Sequence, residues 1–451
     1  MPYEEGSTEQ DILDKAKKQF AEIVGFESDQ RSEMEDDKRF GLGIQWDTLD
    51  RSNREGAGRP CITILRTNQF TDHIKNQQRQ NKPAVKVSPV DEGADEEIAD
   101  RRQGLIRHIQ YESKAQMARQ QAFNDAVDMG RGHYVVKSEY VSARSFDQKI
   151  TVEVIKDPLS VYMSLNREKP DYSDCTHGFI VKQMSKDEFQ DKYPDADESN
   201  WDGSTETDEY WITQDRVQVA EYYCKKYKKR KLVEVKVKGS EETRVLFEDQ
   251  IESEDYTIVK SRMVEDPYWM WYKMTGVEIL DETELASKEM PIITVIGKED
   301  ITQGDWSCKG LMRDIKDPQR LYNFLASQEA ELINMAPRSP WIMAEGQDEG
   351  YEDEWANSNI DNLASLTYKP KTFEGHLLPP PQRNQFAGVP IGIVNEKQEV
   401  IEDMKAITGI YDASIGNRSN ETSGVAIRQR EAQSNNANYH FIDNFSSAIT
   451  H

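Results

Sequence analysis

One helix near the middle of the chain has both of its ends marked in the sequence, and it constrains the fold more than any other stretch. The stretch over 305–343 reads DWSCKGLMRDIKDPQRLYNFLASQEAELINMAPRSPWIM. Asp317 can accept a hydrogen bond from a free N–H of the first turn, and Pro318 suits the first helical position. Pro337 ends the pattern, because the residue before a proline is pushed out of helical φ/ψ. We therefore predict a helix over 318–335, roughly 27 Å long.

Apolar and polar side chains of this predicted helix separate at helical spacing. The apolar positions that fall on or near one face are Leu321, Phe324, Leu325, Leu332 and Met335. The polar positions, which we expect to add polar surface, are Gln319, Arg320, Gln328, Glu329 and Glu331. On this pattern alone, a helix packed in a core is the simplest interpretation, and any functional role depends on the rest of the chain.

The chain is polar and acidic for its length. It has 451 residues, of which 36% are hydrophobic and 31% are charged, and its net charge is −25. This length allows roughly two to four domains, whereas the low apolar content favours an extended chain, partial disorder, or assembly with copies of itself. The acidic balance argues against a protein that wraps DNA on a basic face, since it repels polyanions on average.

The sequence lacks the established catalytic and cofactor motifs. The cysteines, Cys61, Cys175, Cys224 and Cys308, stand far apart with no neighbouring histidine ligands, which indicates reduced thiols and no zinc site. No Walker A, GxSxG or HExxH pattern occurs, and the acidic segment 195–203 lacks the spacing of a calcium loop. No run of about 18 apolar residues indicates a membrane-spanning helix. These residues carry no signal of an enzyme that acts alone, and we predict no cofactor and no metal site.

A basic run stands out in a strand-like stretch of this acidic chain. Its members are Lys225, Lys226, Lys228, Lys229, Arg230 and Lys231. One interpretation is a solvated strand face whose charges also deter edge-to-edge pairing. The alternative is a docking surface for a polyanion or an acidic partner.

An aromatic run at 268–272 alternates along a later strand-like stretch. Trp269 and Trp271 would share one face, and other large apolar side chains would share the opposite face. Burial on both sides follows, either at a subunit interface or in the core of one chain.

Periodicity along the rest of the chain predicts a mixed α+β order. Helical spacing is found over 8–40, 61–80, about 95–129, and in two regions from Asn395 to the end, with Gly130 and Gly132 closing the third of these helices. Alternation predicts strands over 84–90, 133–141, 149–155 and 216–297, and turn-forming residues predict a loop over 46–60. The last helical pattern has no cap at His451, so we expect the fold to continue beyond it.

Five stretches follow one another in an order that carries a family resemblance. They read AFNDAVDMGRGHYVVKSEY (122–140), DPLSVYMSLNREKPDYSDCTHGFIVKQMSKDEFQDKYPDAD (157–197), WITQDRVQVAEYY (211–223), KDPQRLYNFLASQEAELINMAPRSPWIM (316–343), and TGIYDASIG followed by ETSGVAIRQREAQSNNANYHFIDNFSSAI (408–449). Together they resemble the portal, or head-to-tail connector, proteins of tailed bacteriophages, most closely those of the short-tailed, Salmonella-phage type. The resemblance covers most of residues 60–451.

The resemblance implies an α+β portal fold in a ring-forming chain, with a mixed α/β wing, a long stem helix, a small β-rich clip and helical segments towards the crown. By analogy, the segments are 1–215 for the first part of the wing, 216–297 for a β-rich block including the clip, 298–336 for the stem helix, 337–394 for a loop-rich return to the wing, and 395–451 for channel-wall helices leading to the crown.

The resemblance also implies a structural function in the virion. Portal subunits form a ring, dodecameric in this family, at one capsid vertex, and double-stranded DNA enters and leaves through it without sequence-specific binding. Terminase docks during packaging, tail adaptor proteins dock later, and the ring contacts capsid and scaffold proteins after assembly in the infected bacterial cytoplasm. An acidic channel suits this task, because repulsion of the phosphates keeps DNA from being held.

Three residue sets become candidates on this basis. The stem helix would pack its apolar face on neighbouring stems, and the DNA-channel candidates are Arg320, Gln328, Glu329, Glu331, Arg428, Arg430 and Glu431. The basic run becomes a partner-docking candidate, and Trp269 and Trp271 become subunit-interface candidates, with solvated or core positions as the alternatives. Two other functions stay open: another virion structural protein, such as an adaptor or scaffold, and a metal-dependent nucleic-acid-processing enzyme.

Overall fold

A computed structural model describes residues 8–451 of the chain except 90–94, 170, 197–215, 238–242, 252–255, 303–304, 336–339, 362, 384–389 and 412–436. The chain divides into two compact units. The first unit comprises Met1–Asp37, Ile74–Leu311 and Asn438–His451, and the second unit comprises Lys38–His73 and Met312–Ala437.

Helices and strands are both abundant, which confirms the α+β class. The helices are α1 (Glu9–Gly41), α2 (Thr48–Gly56), α3 (Thr67–Gln80), α4 (Glu96–Glu112), α5 (Ala115–Met129), α6 (Lys186–Lys192), α7 (Leu311–Met335), α8 (Glu352–Asn357), α9 (Ile391–Thr408) and α10 (Tyr439–Thr450). The strands are β1 (Arg131–Tyr140), β2 (Gln148–Val154), β3 (Val161–Met163), β4 (His177–Ser185), β5 (Arg216–Val237), β6 (Thr243–Phe247), β7 (Tyr256–Met274), β8 (Ile279–Leu285), β9 (Ile292–Ile296), β10 (Lys298–Thr302), β11 (Asp305–Lys309), β12 (Trp341–Ile342), β13 (Thr372–Phe373), β14 (His376–Leu377) and β15 (Gln382–Arg383).

An antiparallel sheet organises the first unit, in the order β3-β4-β5-β7-β8, with β6 also paired to β5. β5 and β7 pair along almost their whole length. Because side chains alternate between the faces of a strand, each face of this sheet carries its own core. The core on one face includes Ile12, Leu13, Ala16 and Ile23 of α1 with Phe179, Tyr222 and Tyr272. The core on the other face includes Tyr223, Trp269, Met290 and Trp306.

The sheet crosses one of the predicted segment boundaries. β5, which begins the predicted 216–297 block, pairs with β4 over nine register positions from Arg216 to Cys224. The strands predicted within this block are present as β5 to β9. The block therefore shares its sheet with residues of the preceding segment.

A smaller antiparallel sheet, in the order β2-β1-β9, packs against α5 and α10. Phe123 of α5 and Phe445 of α10 lie edge to face with ring centroids 5.2 Å apart. α5 ends at Gly130, whose φ is 103°, and a Cβ at this position would lie 2.7 Å from the backbone of Lys309. The predicted C-cap glycine is confirmed, because a left-handed backbone and so close an approach both require glycine.

The second unit contains a small segment between α7 and α9 with its own apolar centre. It contains α8 and two short two-stranded sheets, β12 with β15 and β13 with β14. Trp341 and Trp355 pack edge to face at 5.2 Å, and the indole N–H of Trp355 donates to the carbonyl oxygen of Thr367 at 2.8 Å.

The start predicted for the central helix is wrong. α7 begins at Leu311, so Pro318 lies inside the helix and Asp317 does not cap it, and the antiparallel strands β10 and β11 precede the helix. Leu311, Met312 and Ile315 are all buried. Burial is worth about 1.5–3 kcal/mol for each such side chain, and together this outweighs the cost of an interior proline, about 3 kcal/mol.

Three other sequence-based predictions, of a helix, a loop and a strand, are also wrong. The helix predicted over 95–129 is two helices, because Lys114 takes a left-handed conformation with φ of 52° between α4 and α5. The predicted loop over 46–60 contains α2, which Asp47 caps by accepting from the N–H of Leu49 at 2.8 Å. In the described part of 84–90 there is no strand, since the side chain of Gln103 bonds the backbone groups that a neighbouring strand would use.

Candidate functional site

A polar ladder on α7 holds an extended segment, residues 61–66, within the second unit. The pairs, with the donating backbone N–H first, are Arg66 with Gln319 Oε1 (3.1 Å), Ile64 with Asn323 Oδ1 (3.0 Å) and Ile62 with Ser327 Oγ (2.9 Å). Four helical residues rise about 6.0 Å and two extended residues about 6.6 Å, so helix positions i, i+4 and i+8 meet alternate N–H groups. The ladder takes the place of a neighbouring strand, and the helix expected over 61–80 begins only at Thr67.

The ladder decides which face of α7 is buried. Gln319, Asn323 and Ser327 are at most 2% exposed, whereas Leu321 and Phe324 are 41% and 39% exposed. The prediction that Gln319 adds polar surface is therefore wrong, because its amide satisfies backbone groups that would otherwise be buried without partners. The i, i+4, i+8 spacing of three hydrogen-bonding side chains was the sequence signal for this buried polar face, and a prediction from hydrophobicity alone misses it.

The two glutamates among the channel candidates form ion pairs within the second unit. Glu329 pairs with Lys397 of α9, with Nζ and Oε2 2.5 Å apart. Glu331 lies 3.6 Å from a guanidinium nitrogen of Arg54 and 3.3 Å from one of Arg59. Each carboxylate is thus offset by at least one cation, so these positions add little net negative charge to the surface of α7.

The other channel candidates differ in their surroundings. Arg320 is half-exposed and lies 3.4 Å from the carboxylate of Asp317. Gln328 is partly buried on the same helix. The candidates beyond α9, namely Arg428, Arg430 and Glu431, lie outside the described residues.

Acidic side chains of neighbouring elements offset about half of the basic run. The ion pairs are Lys228 with Glu284 (2.8 Å), Arg230 with Asp266 (3.0 Å) and Asp249 (2.5 Å), and Lys231 with Glu248 (2.7 Å). Lys226 donates to the hydroxyl of Tyr272 at 2.6 Å. Lys225 and Lys229 make no ion pair with any described residue. The run is therefore partly neutralised within the chain, at Lys228, Arg230 and Lys231.

Both tryptophans of the aromatic run belong to a core of their own chain. Trp269 is fully buried, and its indole N–H donates to the carbonyl oxygen of Lys288 at 3.1 Å. Trp271 is partly buried and packs against the same core. Their shared face follows the predicted alternation, and their burial matches the core position that the sequence left open beside an interface position.

A buried ionic centre in the first unit has no counterpart in the sequence-based candidates. Arg131 donates two hydrogen bonds to the Glu27 carboxylate at 2.9 and 2.8 Å, Arg167 donates one at 2.8 Å, and Arg31 donates one at 3.2 Å. Burial by itself would raise the pKa of Glu27, but Arg131, then Arg31 and Arg167, hold that pKa far below its ordinary value.

An aromatic ring completes this centre. The indole of Trp306 lies 5.0 Å from the guanidinium carbon of Arg131 and 4.1 Å from that of Arg167. Arg131 and Arg167 are 104 and 140 residues from Glu27, so no local spacing reports the contact. The centre ties α1 to the strands of the first unit and has a structural role.

The described residues offer little for metal or thiol chemistry. Among them, no three His, Cys, Asp or Glu side chains are arranged to hold a metal ion. No helix in the described ranges is long and apolar enough to cross a membrane. The cysteines are free thiols, and burial raises the pKa of Cys175 and Cys308 to about 12, which keeps both protonated near neutral pH.

Comparison with known proteins shows a family match and a curated relative along most of the chain. The family described as phage P22-like portal protein matches residues 17–451. The portal protein of Acyrthosiphon pisum secondary endosymbiont phage 1 is 23% identical over 414 residues. That alignment covers 86% of this chain and 56% of the relative, so the chain spans about half the length of the curated relative it matches.

Proposed function

Because this chain belongs to the phage P22-like portal protein family, a family of structural and not catalytic virion proteins, we propose that it is a subunit of the portal ring at one capsid vertex. Double-stranded DNA passes through the centre of this ring during packaging and ejection, without sequence-specific binding. The family match over 17–451, which runs from α1 to α10, is the observation that carries the proposal.

The proposed assembly is a closed homo-oligomer, dodecameric by analogy with the family. A ring requires two different faces of each subunit to meet. The partly exposed Leu321 and Phe324 on α7 support a subunit contact there, since a long helix with apolar side chains in solvent gains free energy by packing against a copy. Terminase, tail adaptors, capsid and scaffold proteins are the proposed partners, in the infected cytoplasm and then in the virion.

In the proposed ring, α7 is the stem helix between the wing and clip-containing block before it and the wing return and channel wall after it. Arg320, Gln328, Glu329 and Glu331 are the proposed channel positions of α7, with Arg428, Arg430 and Glu431 as further channel positions. We expected an acidic channel from the sequence, but the intrachain ion pairs of the two α7 glutamates make the proposed wall nearly neutral at these two positions. A wall without strong net charge neither holds the phosphates nor blocks them.

Mass photometry of the purified chain at micromolar concentration and near-physiological salt tests the ring. Twelve copies of a 52.0 kDa chain give a particle of about 620 kDa, and negative-stain images should show a central hole. Leu321→Glu with Phe324→Glu should leave a folded monomer, while Ile360→Glu, at an exposed apolar residue elsewhere in the second unit, should leave the ring intact. Monomers alone in the wild type would overturn the proposal.

Packaging tests the proposed channel positions separately. Glu329→Gln leaves the ammonium group of Lys397 without its carboxylate, which adds one net positive charge at this position in every subunit. DNA should then move more slowly, because its phosphates meet a ring of attractive charges. Glu354→Gln, at an exposed glutamate of α8, is the matched control. Equal packaging by the two variants would remove Glu329 from the channel wall.

A further inference from the structure

Among the described residues, the edge of β5 that faces away from β7 is paired with other strands at both ends and is open between them. β4 covers this edge over 216–224, and β6 covers it over 232–236. Within the described ranges, no strand pairs with this edge over 226–231. The open stretch coincides with most of the basic run.

Backbone groups of alternate residues point out of this open edge. The N–H of Lys225 donates to the carbonyl oxygen of Thr176 at 2.8 Å, on the side of β4, and bonding direction alternates along a strand. Tyr227 and Lys229 therefore direct their N–H and C=O groups to the open edge. Pro267 stands opposite Tyr227 on β7, consistent with a position that has no hydrogen bonds on that side. The edge offers donors and acceptors together, which suits a peptide backbone better than a free anion.

A cleft of about 230 Å³ lies at the start of the open edge. Residues of α1, of the start of β4 and of the middle of β5 line this cleft, and they include Lys15, His177, Lys225 and Lys226. Among the described residues that line it, three are lysines and none is Asp or Glu, in a chain with 82 acidic residues. Burial, and then the charge of Lys15, lower the pKa of His177 to about 4, so the lysines carry the charge of the cleft at neutral pH.

We propose that the open edge of β5 between β4 and β6 binds an acidic, extended segment of a partner protein by strand addition. The segment pairs its backbone with Tyr227 and Lys229, and its carboxylates meet the lysines of the cleft and Lys229. Charge complementarity selects an acidic segment, since Lys225 and Lys229 make no ion pair with any described residue, whereas Lys228, Arg230 and Lys231 each do. The inference deepens the proposed docking of partners by a portal subunit but requires neither a ring nor DNA.

Two fluorescein-labelled peptides with the same side chains separate strand addition from simple charge attraction. Both are heptapeptides of alternating glutamate and valine, and one is methylated at every backbone nitrogen, so it keeps its charges and loses its donors. The purified full chain should bind the unmethylated peptide at least about tenfold more tightly, as measured by fluorescence anisotropy. Equal affinities would overturn the inference. Competition by sodium phosphate beyond that of sodium chloride at equal ionic strength would also overturn it, by indicating a plain anion site.

Variants of the chain locate the contact. Tyr227→Pro removes an edge N–H at a position where proline is tolerated, and Tyr227→Ala controls for the lost ring. Lys225→Glu with Lys229→Glu reverses the edge charges, and Lys236→Glu is the matched control, exposed on the same strand where β6 covers the edge. Affinity should fall about tenfold in the proline and double variants and less than about twofold in the controls.

The outcomes keep this inference distinct from the ring. Unchanged affinity in the double lysine variant would overturn the site, and that variant decides the question if Tyr227→Pro does not fold. If the wild type forms a ring but does not bind the acidic peptide, strand addition is contradicted and the ring is not. If the wild type is a monomer that binds the peptide, the ring is contradicted and strand addition is not.

Discussion

Replacing Glu27 with glutamine removes the carboxylate that the guanidinium groups of Arg31, Arg131 and Arg167 share. The side chains of Glu27 and Arg131 are 0% and 2% exposed, so water cannot take over the lost interaction. Breaking a buried ion pair in this way costs about 3–5 kcal/mol. Domains are typically stable by about 5–15 kcal/mol, so the first unit should lose a large share of its free energy of unfolding.

Urea unfolding followed by tryptophan fluorescence measures this loss, and Trp306 reports locally because its ring packs on two of the guanidinium groups. Glu22→Gln is the matched control, because Glu22 is an exposed glutamate on the same helix. The control should change the free energy of unfolding by no more than about 0.5 kcal/mol. A Glu27→Gln variant as stable as this control would refute the argument that charge pairing holds the centre.

The same centre fixes the sign of a pH dependence. The folded-state pKa of Glu27 is lowered, so as the pH falls the unfolded chain binds the proton first. The ionised Glu27 carboxylate therefore contributes to stability above the ordinary glutamate pKa, about 4.3, and this contribution is lost as the pH falls below that value. The wild type should lose more stability than Glu27→Gln between about pH 5 and pH 3.

Three further predictions test other parts of the structure. The pKa of His177 is lowered to about 4, so the protein should lose stability as the pH falls below about 6.5, because at first only the unfolded chain gains the proton. His177→Gln should abolish this pH dependence of the urea unfolding midpoint. Asn323→Ala should lower the free energy of unfolding by about 2–3 kcal/mol and speed hydrogen exchange of the Ile64 amide. Gln328→Ala should have neither effect, and unchanged exchange in Asn323→Ala would contradict the ladder. Gly130→Ala should lower the melting temperature, since its φ is positive and a Cβ meets backbone, and an unchanged temperature would contradict that geometry.

Local signals in the sequence were sufficient for much of the fold. The apolar spacing over 8–40 predicts α1, Gly130 predicts the end of α5, and alternation over 216–297 predicts β5 to β9. Each rests on interactions between residues a few positions apart. The family, too, was recognisable from the order of short stretches, and the match over 17–451 confirms it.

The candidate site was predictable only in outline. The sequence placed Glu329 and Glu331 on a long helix, and the basic run on a strand. It did not indicate that Lys397 and Arg54 offset those glutamates, since these partners come from distant elements of the second unit.

What the sequence determined by itself was therefore the type and order of the elements, because hydrophobic period, caps and turn residues act over a few positions. What the tertiary structure decided was which polar groups meet. Gln319 is buried because the backbone of Ile64 needs it, Glu27 is ionised because three arginines converge on it, and β5 is open where two shorter strands end. These outcomes depend on contacts between residues far apart in the chain, and hydrophobic period, caps and turn residues do not report such contacts.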